Sequence, residues 1–303
     1  MEFLKALEQI RTPFLNEIFA LLTKLGEETI AVVIICVLFW CVNKAMAYKV
    51  GIVYFISALT VQGAKVTFRV DRPWVQDPTF SPVPSAIEKA TGYSFPSGHT
   101  QGATALYGTL GIAVKNIWVK VACFSAVLAV AFSRMYLGVH TPADVITALV
   151  LTFITAILVC ILYNNDKITF SRSLILSLIV FFGSVALLIY VFALYRNGII
   201  EREYVSDCCK AAGAGIGCSL GFFIETNFIN FSEKSKNIWM QILKVVIGIA
   251  GMVLIRSGVK EIFGESLTVD TIRYAIIILW VLAIWPLCIK KFFSVPKEDV
   301  IAQ

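Results

Sequence analysis

The stretch VITALVLTFITAILVCILY, residues 145–163, carries no charge, no proline and no glycine. A hydrocarbon core about 30 Å thick needs about 20 apolar residues of helix at about 1.5 Å each, and this stretch has that length. A strand of a transmembrane barrel would alternate polar and apolar side chains over about 10 residues instead. Working outward, the sequence holds nine apolar spans, at 28–43, 48–69, 99–114, 117–135, 143–163, 173–195, 206–225, 238–256 and 272–290. The first and third are short for the core and need flanking residues to complete a crossing. Charged residues are 15% of the chain and apolar residues 58%, where soluble domains carry about 25% charge. These proportions exclude a soluble globular enzyme, a disordered chain, a collagen-like chain and a disulfide-stapled secreted domain. The expected fold is all-α, a polytopic helical membrane protein.

The excess of 26 basic over 20 acidic residues is spread along the chain, with no dense block that would suggest nucleic acid. Cys36, Cys41, Cys123, Cys160, Cys208, Cys209, Cys218 and Cys288 lie almost all inside apolar spans, with no C-x-x-C spacing, and read as small buried thiols. Acidic residues open the chain and no cleavable apolar region follows, so no signal peptide is expected. Residues 1–25 are amphipathic: Leu4, Leu7, Ile10, Phe14, Ile18, Leu21 and Leu25 recur at helical spacing opposite Glu2, Lys5, Glu8, Arg11 and Glu17. The segment reads as an interfacial helix broken near Pro13, with a short re-entrant segment as the alternative. Residues 70–98 form a long loop rich in Pro, Ser and Asp, and long ordered loops are usually functional. Cations gather in very short turns on one side, Lys44/Lys49 and Lys167/Arg172 among them. The positive-inside tendency puts that side in the cytoplasm and the long loop, with Lys89, outside.

Chemistry concentrates in three polar strings. The first is Lys65-Val-Thr-Phe-Arg-Val-Asp-Arg72-Pro73. The second is Pro96-Ser97-Gly98-His99, and the third is Ser133-Arg134-Met-Tyr-Leu-Gly-Val-His140-Thr-Pro-Ala-Asp144. His99 and His140 are the only histidines, both at span ends on one side. A cation near a span end, such as Lys65, is functional by default, because intramembrane charge is costly. Arg72 follows Lys65 by seven, two turns if the helix persists to Asp71, so both cations can face one point. Gly98 lets a ligand approach the backbone, Ser97 adds a hydroxyl, and free N–H groups at a helix start favour an anion. Thr141 suits an N-cap and Pro142 the first helical position, with Asp144 at N3. Asp144 also follows His140 by four, in reach of one imidazole nitrogen, where it would fix the tautomer. Three cations, a hydroxyl, a backbone nest, two imidazoles and a carboxylate suit a phosphoryl group, whose transition state spreads charge over its oxygens. One imidazole can attack phosphorus and the other can protonate the leaving oxygen. The residues alone do not say which ring attacks, although the pairing with Asp144 favours His140. A di-metal site would lack carboxylates, so no metal and no cofactor is expected.

These strings match the K-x6-R-P, P-S-G-H and S-R-x5-H-x3-D signatures, and the chain resembles the type 2 phosphatidic acid phosphatase superfamily of membrane lipid phosphatases. The motifs cover 65–144. The resemblance implies an interfacial helix at 1–27, a six-helix phosphatase core at 28–195 and a C-terminal extension of about three spans at 196–303. It implies His140 as the nucleophile that becomes a phosphohistidine, Asp144 as its orienting partner and His99 as general acid, then base. Lys65, Arg72, Ser97, Gly98 and Arg134 are implied as the phosphate clamp, with no metal ion.

The expected activity is hydrolysis of a membrane lipid phosphate or diphosphate at a cell membrane, with the site outside the cytoplasm. Undecaprenyl diphosphate or a related phospholipid leads, and a sphingoid phosphate or sugar phosphate is the alternative. A lipid transporter or flippase with a coupled or vestigial phosphatase core is the reading from another class. The expected partner is the lipid substrate. In the extension, Gly213, Gly217 and Gly221 recur every four residues as a smooth face for close helix packing. Core packing is the plainer use of that face, and a homodimer the other. Glu225 and Lys244, near adjacent span ends, are expected to form an ion pair or to belong to a polar path.

Overall fold

The computed structural model describes residues 1–88, 90–163 and 168–293. Its helices, in chain order, are α1 (Glu2–Gln9), α2 (Pro13–Leu22), α3 (Glu28–Val37), α4 (Lys44–Phe68), α5 (Pro73–Gln76), α6 (Pro84–Ile87), α7 (Gly98–Ala103) and α8 (Thr109–Ala113). They continue as α9 (Ile117–Tyr136), α10 (Pro142–Leu162), α11 (Phe170–Arg196), α12 (Arg202–Ile224), α13 (Ile238–Phe263), α14 (Leu267–Leu279) and α15 (Trp285–Phe292). No strand occurs among the described residues, and the fold is all-α and polytopic.

Each of the nine apolar spans is helical, but only seven helices among the described residues are long and apolar enough to cross a membrane. An eighth is counted if Pro13–Gly26 and Glu28–Val42, bent by 48°, form one broken span. The expected span at 99–114 is the shortfall. α7, a π turn at Thr104–Gly108 and α8 together make 16 residues, about 24 Å of helix. Local chemistry sets the ends. Asn116, Thr169, Asn237 and Ser266 cap α9, α11, α13 and α14, each side chain accepting a bond from a first-turn N–H.

The chain divides into two compact units, Met1–Val32 with Thr60–Ile161, and Val33–Leu59 with Leu162–Gln303. The first holds all three polar strings and the N-terminal segment. The segment 1–25 is two helices, with the break at Pro13 where the sequence reading puts it, and its apolar stripe splits. Leu4 and Leu7 are buried against Phe80, whereas Phe14 and Leu21 stay 72% and 64% exposed. The break follows from Thr12, which caps α2, and Pro13 at its first position. The loop 70–98 is ordered by the same contacts. Phe80 packs on α1, Val83 N–H donates to Leu137 at 3.0 Å, and Ser94 N–H donates to Val70 at 2.8 Å. Lys5 pairs with Asp77 at 2.7 Å, and with Thr79 it holds that carboxyl down at about 2. Gly138 turns the chain from α9 toward α10 at φ +77, and a Cβ there would lie 2.7 Å from Phe80 and from Arg11. Lys89 lies outside the described residues.

In the second unit α12 packs against α11 and α14. The glycine stripe makes this close: a Cβ on Gly213, Gly217 or Gly221 would fall 2.1 Å from the Thr271 carbonyl, 2.4 Å from the Ala275 carbonyl and 2.7 Å from Leu282. The stripe is therefore occupied within the chain, which leaves these glycines no free face for a second copy. Glu225 and Lys244 do not pair. Fully buried Glu225 accepts from Lys44 at 3.2 Å, from the Tyr48 hydroxyl and from Phe231 N–H. Lys244 donates to the carbonyls of Trp40 (2.8 Å) and Glu233 (2.7 Å) instead. The Trp40 carbonyl is open because it lies in the closing π turn of a helix, whose last four C=O groups have no intrahelical partner. Trp40 sits in one such turn, Leu38–Val42, and Ile229, in another, accepts from Lys290. All eight cysteines are free thiols. Lys167 lies outside the described residues.

Candidate active site

Helix ends and the loop 70–98 bring the three strings together. α4 ends at Phe68 because Arg69 adopts a left-handed conformation, φ 49, and a bulky residue rarely sits there inside a helix. The expected two-turn helix from Lys65 to Asp71 is thus cut short. Arg72 is instead the N-cap of α5, in extended conformation, with Pro73 at the first helical position. The two cations still converge, on consecutive carbonyls of the loop. Lys65 Nζ donates to Tyr93 at 2.7 Å. Arg72 donates to Gly92 through Nε at 3.0 Å and to Thr91 through Nη2 at 2.6 Å.

Arg72 Nη1 also donates to Val139 at 2.9 Å and lies 3.0 Å from Nε2 of His140. A guanidinium has no lone pair to offer. The contact therefore assigns an unprotonated Nε2 and a ring proton on Nδ1. Nδ1 faces Asp144 Oδ2 at 3.4 Å and Ser94 Oγ at 3.5 Å. Both distances exceed the usual hydrogen-bond range, so Asp144 acts on the ring chiefly as a fixed negative charge. That carboxylate oxygen is itself held by the Ser94 hydroxyl at 2.6 Å and the Thr141 N–H at 2.7 Å. Thr141 Oγ1 in turn accepts from Asp144 N–H at 3.3 Å, which closes a reciprocal capping box at the start of α10. Asp144 therefore caps α10 and stands behind the ring without a hydrogen bond to it.

His140 is 2% exposed. Burial pushes its pKa well below the ordinary 6.5, and the charges of Arg72, Arg134, Lys65 and His99 push the same way. The ring is thereby kept neutral, with its Nε2 lone pair turned to the Arg72 guanidinium, the form an attacking imidazole takes once a phosphoryl oxygen draws that N–H away. His99 stands in the first turn of α7, half-buried. Ser97 caps that helix, and its Oγ accepts from Thr100 N–H at 3.5 Å and from the Thr100 hydroxyl at 3.0 Å. Two acceptances leave its own proton to donate. A Cβ on Gly98 would meet no atom within 4 Å, so the fold itself does not demand glycine there. Arg134, in the last turn of α9, is 2% exposed and donates to Thr23 at 2.9 Å.

Ser94, Thr23 and the carbonyls of residues 91–93 escape the sequence reading. A single serine or threonine carries no spacing signal, and backbone carbonyls carry none at all. The nearest hint is that Ser94 lies three residues before Ser97 in the ordered loop. Chemically, the assembly offers a neutral imidazole among cations, with a carboxylate behind it. Among the described residues no three His, Cys, Asp or Glu side chains gather as a metal-holding group.

The chain is 25% identical over 278 residues to sphingosine-1-phosphate phosphatase 2 of Homo sapiens, covering 84% of this chain and 66% of that one. It is 30% identical over 152 residues to an undecaprenyl-diphosphatase of Sulfolobus acidocaldarius, covering 48% and 69%. A crystal structure of a transmembrane PAP2 type phosphatidylglycerolphosphate phosphatase from Bacillus subtilis aligns over 52% of this chain and 81% of its own, at 26% identity and a TM-score of 0.44. The chain spans just under two thirds of the length of the mammalian relatives it matches. Residues 209–297 match the family model "PAP2 superfamily phosphatase, transmembrane extension". Residues 45–168, which hold every motif position from Lys65 to Asp144, match the PAP2 superfamily, and the chain belongs to that superfamily, with its transmembrane extension at the C-terminal end.

Proposed function

We propose that this chain is an integral membrane phosphatase that hydrolyses a lipid phosphate or diphosphate through a phosphohistidine on His140, without a metal ion. The observation that carries the reading is the 3.0 Å contact between Arg72 Nη1 and His140 Nε2. It pairs the nucleophilic nitrogen with a cation suited to a phosphoryl oxygen. In the first step Nε2 bonds to phosphorus, the bond to the leaving oxygen breaks, and His99 gives that oxygen a proton. In the second step water bonds to phosphorus, the P–Nε2 bond breaks, and His99 takes the water's proton. Lys65, Arg72 and Arg134 balance the charge on the phosphoryl oxygens, with Ser97 and the Gly98 backbone as further donors. Metal independence rests on the donor set, since three cations beside a neutral imidazole repel a divalent ion.

A lipid substrate is favoured by what borders the clamp. Phe68, one turn after Lys65, is 62% exposed and packs edge-on against Phe95 with ring centroids 5.3 Å apart. This aromatic pair suits the first carbons of an acyl or isoprenoid chain. Undecaprenyl diphosphate and related phospholipids fit. A sphingoid phosphate is the second reading, favoured by the match to the human relative across 84% of the chain. The short Lys-rich turns favour a site outside the cytoplasm. The test is phosphate release by purified protein from undecaprenyl diphosphate, phosphatidylglycerol phosphate and sphingosine-1-phosphate, with excess chelator in one arm. The reading expects release that survives chelation and vanishes in His140→Ala. Lipid movement without phosphate release would support a transporter, and loss on chelation with recovery on Mg²⁺ would overturn the metal-free step.

A further inference from the structure

The N-terminal segment reaches the site at two points that the motifs do not include. Thr23 opens a 3₁₀ turn, Thr23–Gly26, that follows α2. Thr23 is 7% exposed, and its hydroxyl accepts from Arg134 Nη1 at 2.9 Å. The Nε of Arg134 is buried and has no hydrogen-bond partner among the described residues. At the other end of the turn, a Cβ on Gly26 would fall 2.7 Å from the carbonyl oxygen of His99 and 2.8 Å from Val130. The turn therefore lies directly against the backbone that carries His99, as well as holding Arg134. Arg11 anchors the same segment to the third string, donating from Nε to the Tyr136 carbonyl at 2.9 Å.

A guanidinium presents its N–H donors in one rigid plane, so fixing one nitrogen sets the direction of the rest. A buried donor left unpaired is costly, and such groups call for an explanation in use. We propose that Thr23 is a positioning residue for phosphoryl transfer. Its hydroxyl holds Nη1 of Arg134, so that the remaining donors, the unpaired Nε–H among them, are kept for an oxygen of the phosphoryl group on its way to His140. Residues 1–26 are then part of the active site rather than a membrane anchor beside it. The inference rests on the phosphatase reading, because it assigns Arg134 to the phosphoryl group.

The test uses the full chain in detergent, with turnover of a lipid phosphate and inhibition by orthovanadate and by inorganic phosphate. Thr23→Val keeps the shape and removes the hydroxyl. A hydrogen bond to a charged group is at stake, so kcat falls about 10- to 100-fold with KM nearly unchanged. Vanadate, which resembles the five-coordinate transition state, loses affinity by a similar factor, while inorganic phosphate loses less. Thr23→Ser restores kcat, and in an Arg134→Lys background Thr23→Val has little further effect. Thr23→Ala, smaller and better tolerated if valine disturbs folding, gives the same loss. Wild-type kcat and vanadate affinity in Thr23→Val or Thr23→Ala overturn the proposal, as does failure of Thr23→Ser to restore what they remove. His140→Ala is run in parallel, and if it retains turnover the phosphatase reading beneath the proposal fails instead.

Discussion

One imidazole is held between opposite charges: Arg72 touches Nε2 of His140, and Asp144 stands behind Nδ1. Its neutral state has a consequence that can be measured directly, since the chain has only two histidines. In ¹³C-histidine NMR of the purified protein, with His99→Gln assigning the signals, the His140 ring should titrate well below 6.5, because burial and then Arg72 disfavour its cation. The sign for stability follows. As pH falls through about 6.5 the unfolded ring gains a proton that the folded ring refuses, so the fold loses stability from there down to the lowered folded value. A His140 midpoint at or above 6.5 would contradict the assigned contacts. Gly98 makes a second test at this scale. The surrounding chain leaves room for a Cβ, so Gly98→Ala should keep the thermal unfolding midpoint and lose activity by tenfold or more through hindered approach of the phosphoryl group. Unchanged activity would remove Gly98 from the clamp. His140, Asp144 and Arg72 were legible in the sequence because spacing and residue type carried them. Ser94 and Thr23 were not, because each acts through a contact between segments distant in the chain.

At the scale of helices, hydropathy located nine apolar segments and the structure makes each of them helical. What it could not show is where those helices change register. Four π turns, at Leu38–Val42, Thr104–Gly108, Glu225–Ile229 and Trp280–Ile284, mark these changes, and all but Glu225–Ile229 are uncharged stretches of ordinary composition. Two of the carbonyls in these turns find partners in Lys244 and Lys290, which lie far away in sequence. The expected Glu225–Lys244 pair does not form, because Lys244 is held by the Trp40 and Glu233 carbonyls and Glu225 by Lys44, Tyr48 and Phe231 N–H. The small-residue stripe on α12 was legible, and its partner, α14, emerges only from the fold. Gly217→Ala places a Cβ 2.4 Å from the Ala275 carbonyl, so the backbones must separate. Overpacking of this kind costs about 1–3 kcal/mol, and the unfolding midpoint in detergent should drop. Gly258→Ala on α13, where a Cβ meets nothing within 4 Å, should leave it level or raise it. Equal effects at the two positions would show that α12 does not depend on close approach.

For the whole molecule, the central claims are sidedness and chemistry. On a background lacking the eight cysteines, an impermeant thiol reagent applied to intact cells should label Glu88→Cys in the long loop and spare Arg172→Cys and Lys234→Cys. The reverse pattern would place the site in the cytoplasm. The chemical claim is tested most directly by trapping the covalent intermediate. Purified protein mixed with ³²P-labelled lipid phosphate and quenched in base should carry an acid-labile phosphate that maps to the peptide containing His140. His99→Gln should still acquire that label from a substrate with a good leaving group and should release it about 10²–10⁴-fold more slowly, as expected for loss of an acid–base group. His140→Ala should carry none, and label on His140→Ala at the wild-type level would contradict the account.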